Sequence, residues 1–129
     1  MRDTRKKILV IDDQRTIRTL LGTLLRKQYE VITLADGLEA MRWLHAHNRP
    51  DLILLDLQMP RLDGRTFLRR LRASGYFRRI PVVVISGDGD EILNDSSDTL
   101  SVAAVLRKPF NPLSLHDTLA ELLQPASTI

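Results

Sequence analysis

Asp51-Leu52-Ile53-Leu54-Leu55-Asp56-Leu57-Gln58-Met59-Pro60 holds four apolar residues that stop at a carboxylate, with a proline four positions on. Ile8-Leu9-Val10-Ile11 stops in the same way at the acidic pair Asp12-Asp13. Pro81-Val82-Val83-Val84-Ile85 reaches Ser86, and Val102-Ala103-Ala104-Val105-Leu106 leads to Lys108-Pro109. Strands that are apolar along their whole length belong in a parallel sheet covered on both faces.

Stretches of helical period separate these runs. Lys7–Ile11 reads as the first strand, and Gln14–Lys27 as a helix with Ile17, Leu20, Leu21, Leu24 and Leu25 inward. Glu30–Leu34 is a second strand, and Gly37–His47 a second helix entered through Asp36-Gly37. Met41 and Trp43 read as packing residues of that helix, and Asn48-Arg49-Pro50 as its end. Asp51–Asp56 is the third strand; Gly64–Ser74 is the third helix, with Gly75 as its terminator. Pro81–Ser86 and Ala103–Leu106 are the last strands, and Pro112–Leu123 the last helix, capped by Asn111. Alternating strands and helices imply right-handed crossovers. The fold class is therefore α/β: a doubly wound, five-stranded parallel sheet with helices on both faces. Ligands of such folds bind beyond the carboxyl ends of the strands. Asp12, Asp13, Asp56, Ser86 and Lys108 all fall there.

With 129 residues, 43% of them hydrophobic, the chain reads as one domain, 1–129, with a core of about residues 6–123. Cysteine is absent, which excludes disulfides, thiolate catalysis and zinc–thiolate sites. No apolar run approaches the roughly 20 residues of a membrane span, and no secretory signal is legible, so a cytoplasmic location is expected. The net charge of +3 and the pI of 9.7 come largely from arginine. Arg65, Arg69 and Arg72 fall on one outer helix face and read as solvated rather than as a nucleic-acid surface. His45, His47 and His116 lack ligand-like spacing and read as solvated too.

Taken singly, Asp12 or Asp13 would cap the following helix, Ser86 would serve a turn and Lys108 would be a surface charge. Together they say more. Three carboxylates at one sheet edge repel unless a cation joins them.

These motifs, with Asp63-Gly64, Val84-Ile85-Ser86-Gly87 and Lys108-Pro109-Phe110, resemble the receiver domain of two-component response regulators over nearly the whole chain. The resemblance implies a flavodoxin-like three-layer sandwich of strand order 2-1-3-4-5. It implies that Asp56 accepts a phosphoryl group from a phosphohistidine of a sensor histidine kinase, directly or through a phosphotransfer protein. Mg2+ would be held by Asp13, Asp56 and the Gln58 backbone carbonyl, with Asp12 acting through a bound water. Lys108 would hold one phosphoryl oxygen and Ser86 another, and the bond to Pro109 would be cis. The protein would be a phosphorylation-regulated switch, catalysing only its own phosphotransfer and slow dephosphorylation, and not a metabolic enzyme. It would act by binding an unknown downstream protein or as a phosphorelay intermediate, as a monomer or weak homodimer, without direct nucleic-acid or membrane binding.

The chain departs from the family pattern in places. The position three before the lysine, usually an aromatic switch, is Val105. Gln58 and Asp88 occupy the positions that tune phosphate lifetime. Glu91–Leu100, where the family has a helix before its fifth strand, is poor in helix formers and apolar anchors, and a short, mobile or displaced helix is expected there. These departures leave an alternative: a receiver-like interaction module that no longer cycles. A flavin carrier lacks its phosphate loop after the first strand, and a phosphohydrolase lacks an Asp at position 58.

Overall fold

The computed structural model describes residues 5–57, 63–87 and 102–124. Five strands, β1 (Lys7–Ile11), β2 (Glu30–Leu34), β3 (Leu52–Asp56), β4 (Val82–Ser86) and β5 (Ala104–Arg107), form one parallel sheet in the order β2-β1-β3-β4-β5. Among the described residues the helices are α1 (Arg15–Leu25), α2 (Gly37–His45), α3 (Gly64–Ala73) and α4 (Pro112–Leu123). Gln58, Asp88 and the segment 91–100 lie outside the described residues.

Every residue of β3 and β4 is buried, and β2 and β5 at the edges are half-buried, apart from the exposed Arg107 that ends β5. The central strands are the ones whose sequences are apolar at successive positions, because helices cover both of their faces. Side chains alternate across the sheet. Leu9, Ile11, Ile53, Leu55, Val82 and Val84 pack with Met41, Leu44, Phe67, Leu68 and Leu71 of α2 and α3. Ile8, Val10, Leu52, Leu54, Val83 and Ile85 pack with Leu21, Leu25, Leu115 and Leu119 of α1 and α4. Register then decides where the site lies. Ile11 pairs with Leu55, so Asp12 stands level with Asp56; Asp56 pairs with Ile85, and Ser86 with Arg107.

Four local readings of the sequence change. Leu20 is 43% exposed. It lies about 100° around the helix from Leu21, at the rim of the stripe that Leu21 and Leu25 centre. The second helix stops at His45; His47 adopts φ 68°, and Asn48 Nδ2 donates to Trp43 O at 2.8 Å. The third helix ends without a left-handed glycine. Ser74 turns extended instead, and its hydroxyl accepts from the backbone of Tyr76 and Phe77. Arg72 is not a solvated charge. Its Nη1 donates to Arg78 O and Ile80 O at 2.7 and 2.9 Å, and burial pulls its pKa below the usual arginine range.

Candidate functional site

Asp56 is the last residue of β3 and only 4% exposed. Asp12 follows β1, is 1% exposed and is held from three sides. Its N–H donates to Leu34 O, its Oδ1 accepts from Gln14 N at 2.9 Å, and its carbonyl accepts from Arg18 Nη1 at 2.8 Å. Asp12 does not take the capping role open to it alone: Gln14 is the N-cap of α1, and Asp12 Oδ1 instead holds the turn that leads into it. The other oxygen, Oδ2, is buried without a hydrogen-bond partner. Lys108, one residue beyond β5, brings Nζ to 3.5 Å from Asp12 Oδ2 and 3.5 Å from Asp56 Oδ2. Its backbone N–H donates to the Ser86 carbonyl at 3.0 Å, and the Lys108-Pro109 bond is cis, as the resemblance implies.

Asp12, Asp13 and Asp56 each place a carboxylate oxygen within 4.8 Å of the others, Asp13 from the exposed side. Three carboxylates against one ammonium leave two formal negative charges, which one divalent cation cancels. An oxygen-only donor set, with Asp12 Oδ2 buried and without a hydrogen bond beside its ion pair to Lys108, fits a hard cation of that charge. Ser86 is 2% exposed at the end of β4, the strand beside β3.

The end of β3 is also fixed by α3. Asp63 caps that helix by accepting from Thr66 N at 2.8 Å, which holds its carboxyl below the usual aspartate range. Gly64 donates its N–H to Leu57 O, and a Cβ there would stand 2.6 Å from Leu57 Cα and 2.7 Å from Asp56 O. The glycine lets the helix start against the backbone of Asp56.

All of Asp12, Asp13, Asp56, Ser86 and Lys108 therefore lie at the same carboxyl edge, and Val105 sits half-buried on β5 opposite Val84. Sequence reasoning missed Arg18, whose only signal is its place one turn into α1. It also missed a cavity of about 340 Å3 that Ile17, the exposed Leu20, Lys108, Pro109 and Phe110 line beside the site.

A doubly wound sheet with an acidic pocket and a lysine at its carboxyl edge defines a class of α/β domain with a candidate cation site. The comparisons narrow the class. The family model of the response regulator receiver domain matches residues 8–120, and the chain belongs to that family, the receiver domains of two-component signalling. It is 36% identical over 125 residues to the cyclic di-GMP phosphodiesterase response regulator RpfG of Xanthomonas campestris, covering 95% of this chain and 33% of that protein. It is 32% identical over 119 residues to the sporulation initiation phosphotransferase F of Bacillus subtilis, covering 92% of this chain and 94% of that protein. The chemotaxis response regulator CheY4 of Vibrio cholerae superposes with a TM-score of 0.82 at 30% identity, covering 93% of this chain and all of that one. The chain spans about half the length of several other curated relatives. Among the described residues no helix is long and apolar enough to cross a membrane.

Proposed function

We propose that Asp56 is the phosphoacceptor of a signalling switch. The carboxylate attacks the phosphorus of a phosphohistidine on a sensor kinase or phosphotransfer protein. A new O–P bond forms, the P–N bond breaks, and the imidazole nitrogen leaves with the bonding pair. The observation that carries this reading is Lys108 Nζ at 3.5 Å from both Asp12 and Asp56, inside the acidic cluster. A transferring phosphoryl group spreads charge over three oxygens. Lys108 neutralises one of them as a fixed point charge, and the Ser86 hydroxyl donates to another.

Mg2+ is the cation we assign; Asp13, Asp56 and the Gln58 carbonyl would hold it, Asp12 would act through a bound water, and the ion would supply Lewis-acid neutralisation of the phosphoryl oxygens. Asp12 Oδ1 is engaged with Gln14 N, which leaves Oδ2 to face the pocket. The phosphodonor docks against Ile17, Leu20, Pro109 and Phe110, which border Lys108. Leu20 is suited to that contact because α1 leaves it exposed. The chain catalyses only its own phosphorylation and slow dephosphorylation, in the cytoplasm, and passes the signal by binding a downstream protein or handing the phosphoryl group on.

Incubation with acetyl phosphate and Mg2+ tests the reading. The chain should gain the mass of one phosphoryl group, and Asp56→Asn or removal of Mg2+ should abolish the gain. Undiminished labelling of Asp56→Asn would sink the assignment. No labelling of the wild-type chain would favour the non-cycling interaction module.

A further inference from the structure

A second surface lies away from this chemistry, on the layer formed by α2 and α3. A cavity of about 530 Å3 opens between the two helices. Leu38, Met41 and Ala73 give it an apolar lining, and Arg42, His45 and Arg70 stand around them. Arg42, His45, Arg70 and Ala73 are exposed.

Basic residues in the last turn of a helix offset its macrodipole, and Arg42, His45 and Arg70 hold such positions. That role does not account for the charge of the region. Residues 64–81 contain six arginines and neither aspartate nor glutamate. Some nearby arginines have structural work: Arg72 binds two carbonyls, and Arg49 donates to Tyr76 O and lies 5.2 Å from the Tyr76 ring centroid. Arg42, His45 and Arg70 make no ion pair with a carboxylate among the described residues. Glu39, the one acidic residue of α2, turns its carboxylate to Ala35 N at the other end of the helix. Arginine, unlike lysine, presents a planar fork that matches a carboxylate.

We propose that the α2–α3 groove docks an acidic amphipathic helix of a partner protein, independently of Asp56. Apolar side chains at helical spacing fill the lining, and glutamates or aspartates beside them meet Arg42, Arg70 and His45. A groove along α2, which is nine residues or about 13 Å long, accepts two to three turns of such a helix. A nucleic-acid surface needs cations tracking a phosphate backbone; here apolar side chains lie between the cations.

Amide chemical-shift titration of the whole chain tests the proposal. The probes are a synthetic helix of about four turns with a leucine stripe flanked by glutamates, the same peptide with lysines for glutamates, a scrambled peptide of equal charge, and a DNA duplex. The acidic amphipathic helix should shift Leu38, Met41, Arg42, His45, Arg70 and Ala73. Asp56→Asn should leave its affinity unchanged. Arg42→Glu with Arg70→Glu should weaken it at least about tenfold, while these variants still take up phosphoryl groups from acetyl phosphate. If the charge reversal disturbs the fold, Arg42→Gln with Arg70→Gln carries the same test. Equal binding of the scrambled peptide, shifts confined to other surfaces, or no binding overturns the proposal. Stronger perturbation of the groove by DNA overturns it in favour of nucleic acid.

Discussion

Asp12 has two oxygens with different duties. Oδ1 holds the turn into α1 through Gln14 N, and Oδ2 is buried against Lys108 and the other carboxylates. The site therefore carries excess negative charge until a cation arrives. Asp12→Asn keeps an oxygen for Gln14 N while removing one charge. In chelator it should stabilise the chain by on the order of 1 kcal/mol. Mg2+ at a hundredfold over its Kd should stabilise the wild type by about 2.7 kcal/mol, and the variant by much less. Urea denaturation with and without Mg2+ reads both effects. Equal stabilisation of the two proteins by Mg2+ would remove Asp12 from the site. The pocket's charge residues were legible because each ends an apolar run; the burial of Asp12 Oδ2 was not, since it depends on Lys108 arriving from β5, close to a hundred residues away.

At the scale of elements, α3 positions the end of β3. Its Asp63 cap and its glycine start bring the helix against the backbone of Asp56. Hydrogen bonding to Thr66 N lowers the Asp63 pKa, with the Arg69 charge adding to the effect. A carboxylate with a depressed folded pKa contributes stability above its unfolded pKa and loses it as pH falls through the folded value. The Asp63 contribution should therefore be full at neutral pH and disappear below the ordinary aspartate range. Asp63→Ala should cost about 1 kcal/mol at neutral pH, and Asp63→Asn much less. The difference between wild type and Asp63→Asn should shrink under acid, as urea midpoints across that range will reveal; a constant difference would mean that the charge does not matter. Helix and strand periods were readable here to within a few residues. The ends were harder: Ser74, not Gly75, turns the chain after α3, because a hydroxyl can accept two backbone N–H groups where a left-handed glycine was expected. Leu20 was misread for a related reason, since a leucine at the edge of a stripe can lie on either side of the boundary.

For the whole molecule, the question is how an event at Asp56 reaches another surface. The Lys108 N–H to Ser86 carbonyl bond ties the end of β4 to the residue after β5. Val105, opposite Val84 and packed against the α2–α3 core, has no ring to swing. The signal should therefore run through Ser86 and the backbone after it. Val105→Tyr should leave the beryllofluoride-induced amide shifts of Ser86 and Gly87 unchanged. A large change in those shifts would instead make ring rotation part of the coupling.

The sequence by itself determined the alternation of elements, the parallel sheet and the carboxyl edge to which the acidic residues and the lysine belong. It could do so because burial on both faces leaves long apolar runs, and polar residues stand out where those runs stop. Only the tertiary structure decided which oxygen of Asp12 faces the pocket, which leucine of α1 stays exposed, and that Arg72 is structural while Arg42 and Arg70 border an apolar groove. Those outcomes depend on how elements pack and on where loops bring residues together, from six positions apart for Arg72 and Arg78 to 96 for Asp12 and Lys108. Local periodicity cannot encode such contacts, and register and packing set them.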